Sequence, residues 1–176
     1  MQASQNAINL IKQFEGFSPK VYLCPAGKPT IGYGHVVREG EIFTTINQTQ
    51  GEILLKRDLR MAEKTIDSSL SCDLTQNEFD ALCSLIFNIG GNNFRKSTVA
   101  KLLNEDNYMD AADAILWWNK VTNPKTGEKE ISKGLERRRE AERALFIKDD
   151  VVSQELDKLI DKDVSLSDGK LKNDIA

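Results

Sequence analysis

FEGFSPKVYLCPAGKPTIGYGH, residues 14–35, changes its periodicity partway along, and that change decides the fold. On its N-terminal side Ala7, Ile8, Ile11 and Phe14 share one face of a helix over residues 4–15, with Ser4 as N-cap. After Gly16 the helical spacing stops. Glycines and prolines as far as Gly40 punctuate short runs of Val, Tyr, Ile and Thr, the pattern of a small antiparallel sheet. The same stretch sets Glu15 at the helix end, and Cys24 and Thr30 on the strands and turns, spaced Glu-x8-Cys-x5-Thr. A proton donor on a helix end, facing polar groups carried by a hairpin, suits cleavage of a bond held in a cleft.

Beyond about Thr49 the chain reads as helical. Ile53, Leu54, Met61, Ala62 and Ile66 recur at helical spacing, and Thr75 to Glu78 form a capping box that opens the next helix. Phe79, Leu82, Cys83 and Ile86 are the stripe that helix buries, and Gly90-Gly91 stops it. Ser97 caps a short helix to Leu103, and residues 108–118 form another that ends at Trp117-Trp118. NPKTGEKE reads as a polar loop, and a helix over 135–147 carries Leu135, Ala141, Leu145 and Phe146. The expected class is α+β, a small N-terminal β-lobe and a larger α-helical lobe. A domain over 1–148 is expected to precede an extension over 149–176. There Val152, Leu156, Leu159 and Ile160 suit an amphipathic helix before a frayed tail.

With 176 residues, 40% of them apolar and spread throughout, the chain can bury one ordinary core. A net charge of −3 argues against a nucleic-acid partner, although Lys133, Arg137, Arg138, Arg139 and Arg143 crowd together. Cys24, Cys72 and Cys83 have neither even number nor framework spacing, which points to synthesis in a reducing compartment. No stretch approaches the ~20 apolar residues of a membrane span. The N-terminus lacks the basic and apolar regions of a secretory signal. His35 is the single histidine, and without partners at ligand spacing it makes no zinc site.

Taken singly, the three polar residues decide little. A glutamate beside a turn glycine is most often an exposed surface charge. At a helix C-terminus, though, the dipole disfavours the carboxylate, and burial against Phe14 or Phe17 acts the same way, so Glu15 suits a general acid. Cys24 alone reads as a buried structural thiol, a weaker base than an aspartate but a better nucleophile as thiolate. Thr30 alone is an ordinary strand residue whose hydroxyl can hold a water. A Cys24–His35 nucleophile pair is a weaker reading than a histidine paired to a carboxylate.

Together, FEGF, Tyr22, TIGYGH, FNIGGNNFRKST, the double Trp and GLERRREAERALF resemble the phage-type lysozymes, the endolysins of glycoside hydrolase family 24. The likeness runs in order from about residue 8 to residue 147. It implies a lysozyme-like fold with the cleft between its lobes. It also implies hydrolysis of the β-1,4 bond between N-acetylmuramic acid and N-acetylglucosamine in peptidoglycan. A non-catalytic peptidoglycan-binding protein of this fold and a lytic transglycosylase are the alternatives. The family triad, Glu-x8-Asp or Cys-x5-Thr, falls on Glu15, Cys24 and Thr30. In this pattern Glu15 is the general acid, while Thr30 and Cys24 direct the attacking water or Cys24 attacks directly. Val36, Phe87 and Ser97 match positions that line the sugar cleft. His35 matches a histidine paired with an aspartate on the long helix, for which Asp58 is the best candidate. Arg137 is the first match to the arginine that pairs with the glutamate, with Arg138 one register away. The chain is expected to be a monomer that needs no metal or cofactor and, since the membrane-inserting segment with which some family members begin is not seen here, to make no stable membrane insertion. Its partners are peptidoglycan strands, reached from the host cytoplasm by holin-dependent release.

Overall fold

The computed structural model describes residues 1–24 and 27–148; the extension over 149–176, with the helix expected there, lies outside them. The order is α1 (Gln5–Glu15), β1 (Ser18–Leu23), β2 (Pro29–Gly32), β3 (His35–Val36), then α2 (Gln48–Ser69) and α3 (Gln76–Ile89). It continues through α4 (Gly91–Arg95), α5 (Thr98–Leu103), α6 (Tyr108–Ile115), β4 (Lys120–Thr122), β5 (Lys129–Ile131) and α7 (Lys133–Phe146). The α+β expectation holds. An antiparallel sheet of order β1-β2-β3 forms the small lobe, and helices form the large one. Among the described residues no helix is long and apolar enough to cross a membrane.

The helical lobe is built around α3. Every residue from Phe79 to Ile86 is buried, as expected of a helix surrounded by others. It packs against α7, α2 and α1. Its N-terminus is closed by the Thr75–Glu78 capping box, read correctly from sequence. Buried Asp80 accepts hydrogen bonds from the Ser4 backbone N–H at 2.8 Å and from the Ser4 hydroxyl. The residue that caps α1 is therefore also the residue that fastens α1 to the core helix.

The sheet closes on α2 through glycine. A methyl group on Gly51 would lie 2.8 Å from Phe17 Cε2, so only hydrogen lets this turn of α2 approach the β-lobe. Phe17 in turn stacks on Tyr33, with ring centroids 5.1 Å apart. On α2 the sequence reading holds for Ala62 and Ile66 and fails for Ile53 and Met61. Leu55, Leu59, Ala62 and Ile66 face the core, whereas Ile53 and Met61 are exposed.

Two other expectations need correction. The helix read over 108–118 ends at Ile115, and Trp117-Trp118 lie in the turn beyond it. The supposed loop NPKTGEKE, residues 123–130, comprises the tip of a hairpin and the first two residues of β5; in that hairpin Lys120 pairs with Ile131 and Thr122 with Lys129. Asn123 organises that tip: its side chain accepts from Lys125 N–H and its carbonyl from Gly127 N–H. All six strand residues are exposed, so this hairpin has no buried face to give it an alternating pattern.

Candidate functional site

Glu15 is the last residue of α1, and Gly16 (φ +68°) ends the helix by turning the chain into β1. The carboxylate therefore sits at the negative end of the helix dipole and about three-quarters buried, its side chain 24% exposed. It does not point into bulk solvent. Arg138 Nη1, from α7, donates to Glu15 Oε1 at 2.6 Å. The pairing arginine is thus Arg138 and not Arg137. Helix geometry turns Arg137 outward, where it is exposed and lines the cleft, while Arg138, one residue on, is 4% exposed.

On the β-lobe side Gly34 (φ +90°) comes close to the acid. A methyl there would stand 3.4 Å from Glu15 Oε2 and 3.7 Å from Phe87 Cζ. Cys24 and Thr30 stand on either side of the β1–β2 turn. Both converge on one group, the Lys28 carbonyl, which accepts the Cys24 backbone N–H at 3.0 Å and the Thr30 hydroxyl at 3.0 Å. Thr30 is buried, and its cross-strand partner is Val36. Val36 lines the same depression as Glu15, with Gly34, Asp58 and Phe87, in a volume of about 460 Å³.

Three further depressions continue from this one. Phe87 and Asp58 also line a neighbour of about 420 Å³ that runs toward Gly91 and Arg95. Glu15 and Asn88 also line one of about 1050 Å³, bounded by Trp118, Lys120, Arg137 and Arg138. Trp118 and Lys120 pass on to a fourth, of about 350 Å³, which holds Ser97 and the exposed Trp117. Shared lining residues make these one groove, with Glu15 along its length. Val36, Phe87 and Ser97 therefore all face it, though at different stations. Ser97 also N-caps α5 by accepting from Ala100 N–H.

His35 lies to one side. It is 2% exposed, with Nδ1 2.6 Å from Asp58 Oδ2 and Nε2 2.8 Å from Glu41 Oε2. The carboxylate pairing expected of His35 is present, and it joins β3 to α2. Glu41, which the sequence did not single out, also accepts from Arg38 N–H and Arg57. Those bonds, the backbone one first and His35 next, hold its carboxyl down at about 2.

On α7 the sequence reading named Phe146 and Arg138 but passed over Glu142 and the burial of the two arginines. Arg138, Arg139, Glu142 and Phe146 form one helical face, spaced i, i+1, i+4 and i+8, and all are buried. A search for apolar stripes skips such a face because three of its four members are charged. The available signal was their spacing, which continues the face marked by Leu135 and Phe146.

A model of the phage lysozyme family matches residues 12–142. An endolysin of Salmonella phage P22 is 44% identical over 151 residues, which cover 84% of this chain and 99% of that protein. An endolysin of Acyrthosiphon pisum secondary endosymbiont phage 1 is 39% identical over 146 residues, 83% of this chain and 98% of its own. Among solved structures, the muramidase domain of SpmX from Asticaccaulis excentricus superposes with a TM-score of 0.78 at 32% identity. That match covers 84% of this chain and 99% of that domain.

Proposed function

The chain belongs to the phage lysozyme family, and from that premise we propose a muramidase that hydrolyses the β-1,4 bond between N-acetylmuramic acid and N-acetylglucosamine in bacterial peptidoglycan. The observation that carries this reading is the position of Glu15. Its carboxyl lies along a continuous groove, held by a buried arginine, where a polymer could be laid across it.

Cleavage needs a proton on the departing oxygen, because an alkoxide leaves poorly. In our reading Glu15 supplies it. A second group must bring water, or itself, to the opposite face of the sugar. The Thr30 hydroxyl spends its proton on the Lys28 carbonyl, so its remaining capacity is to accept. A water donating to it would turn a lone pair toward the anomeric carbon. Cys24, across the same turn, would share that water or attack in its place. Phe87 and Trp118 line the groove where sugars would lie beside Glu15.

We further propose a monomer with no nucleic-acid partner, which accumulates in the host cytoplasm and reaches the wall after holin action. Release of enzyme into the medium only after a holin is triggered would support that route.

The test is digestion of purified sacculi followed by mass spectrometry of the soluble muropeptides. Reducing muramic acid ends are expected from the wild type, and Glu15→Gln should lose about 10²–10⁴-fold in rate. Products ending in 1,6-anhydro sugars would replace hydrolysis with transglycosylation. Binding of sacculi without any products would leave a non-catalytic wall-binding protein.

A further inference from the structure

Below the Arg138–Glu15 pair lies a buried cluster that the chemistry above does not use. Arg138 Nε donates to Glu142 Oε1 at 3.1 Å, and the Ser84 hydroxyl donates to the same oxygen at 2.7 Å. Arg139 Nε lies 3.0 Å from Glu142 Oε2, an ion pair without hydrogen-bond alignment. Arg139 Nη2 donates to Asn88 Oδ1 at 2.8 Å, and Asn88 lines the groove on both sides of Glu15. Glu142 and Arg139 are both fully buried. One carboxylate thus sits between two guanidiniums, and each guanidinium holds a groove residue.

Stability alone is a poor reason for this arrangement. Burying such charges is costly, and apolar residues of like volume often do as well or better. Here Arg139 Nε and Nη1 and Glu142 Oε2 make no hydrogen bond among the described residues. Burial pushes Glu142 up and Arg139 down to about 10; Arg139, Arg138 and the Ser84 hydroxyl oppose the first shift, and Glu142 opposes the second.

Charge balance supplies the missing reason. With Glu142 held as the carboxylate by the Arg138 and Ser84 donors and by Arg139 beside it, the two guanidiniums leave one positive charge, which an ionised Glu15 neutralises. When Glu15 carries its proton, that single charge is left over. Without Glu142, two buried positive charges would remain, and they would pull the proton off Glu15. We propose that Glu142 is a positioning residue for the reaction: through Arg138 it orients Glu15 and lets it keep the proton it must donate. This rests on the muramidase reading.

Glu15 meets other charged groups across the groove, and none replaces Glu142. Arg38 and Asp58 line its depression from the β-lobe and α2, and Arg137 and Lys120 line the larger one. Asp58 is engaged by His35 and by Arg38. From α3 come Phe87 and Asn88, and from α1 Gln13 and Phe14, all uncharged.

The test compares pH–activity profiles, with kcat and KM separated, for wild type, Glu142→Gln, Glu142→Asp and Glu140→Gln. Glu140 is exposed on the same helix and controls for loss of one charge. For Glu142→Gln the alkaline limb should move about one pH unit toward acid. Its kcat at the wild-type optimum should fall about tenfold, with KM within about twofold. Glu142→Asp should keep the limb and lose kcat about threefold. Glu140→Gln should match wild type. An unmoved limb in folded Glu142→Gln overturns the proposal, as does an equal shift in Glu140→Gln. Should Glu142→Gln fail to fold, wild-type kcat in Glu142→Asp overturns it instead. The Glu15 carboxyl can also be followed by ¹³C NMR, which needs no turnover. Its midpoint should fall in Glu142→Gln by the same margin. A wild type inert on glycan would instead sink the muramidase reading, leaving the NMR comparison to decide the link to Glu142.

Discussion

Lys28 gives the site nothing but its backbone, yet its carbonyl holds both sides of the β1–β2 turn. That fixes where Cys24 stands and makes its role testable. A bulky maleimide on Cys24 should abolish sacculus digestion. Burial pushes the thiols of both Cys72 and Cys83 up, so both react slowly, and Cys83 is wholly enclosed. Mass spectrometry of the labelled peptide, in a Cys72→Ser background, assigns the site. Full activity after complete labelling of Cys24 would remove it from the mechanism. Cys24→Asp should stay within about tenfold of wild type, because an ionised carboxylate directs water better than a neutral thiol. A folded but inert Cys24→Asp protein would mean that sulfur itself attacks. At this scale the sequence set Glu15 at a helix end and Cys24 and Thr30 about a strand turn, and there they stand. It erred by one residue in choosing Arg137, since only the rotation of α7 distinguishes it from Arg138.

Elements were legible where local chemistry fixes them. The capping box at Thr75, the Ser4 and Ser97 caps and the turn-rich sheet all stand as read. What failed depends on partners far away in the chain. The core face of α2 is chosen by α3 and the β-lobe, so Ile53 and Met61 were poor guides. The β4–β5 hairpin has no core face at all, and the inward face of α7 is charged. Gly51 is the sharpest case of an element shaped by its neighbour. Gly51→Ala has good intrinsic helix propensity, yet its methyl would meet the Phe17 ring. Overpacking there should cost about 1–3 kcal/mol and lower Tm by about 3–8 °C in a thermal melt. A rise in Tm would show that Phe17 yields freely and that the close approach is not demanding.

On the scale of the whole molecule, the two lobes are tied through charge. His35 and Glu41 from the β-lobe side meet Asp58 and Arg57 of α2. The Glu41 carboxyl is held at about 2, below the ordinary 4.5. A depressed carboxyl stabilises the fold fully above its unfolded value and loses that contribution as pH falls toward its folded one. Wild-type Tm should therefore drop between about pH 4.5 and pH 2. Glu41→Gln should melt about 5 °C lower at pH 7 and converge with wild type near pH 2. Parallel curves down to pH 2 would mean that Glu41 is not the group responsible.

The groove runs on to either side of Glu15, so a strand can pass across the acid and need not end at it. Scission then falls in mid-strand, at scattered places. A meshwork under turgor fails when enough of its cords are cut, long before much of its mass dissolves. Under the muramidase reading, bursting would follow the tally of breaks and not the mass of wall dissolved.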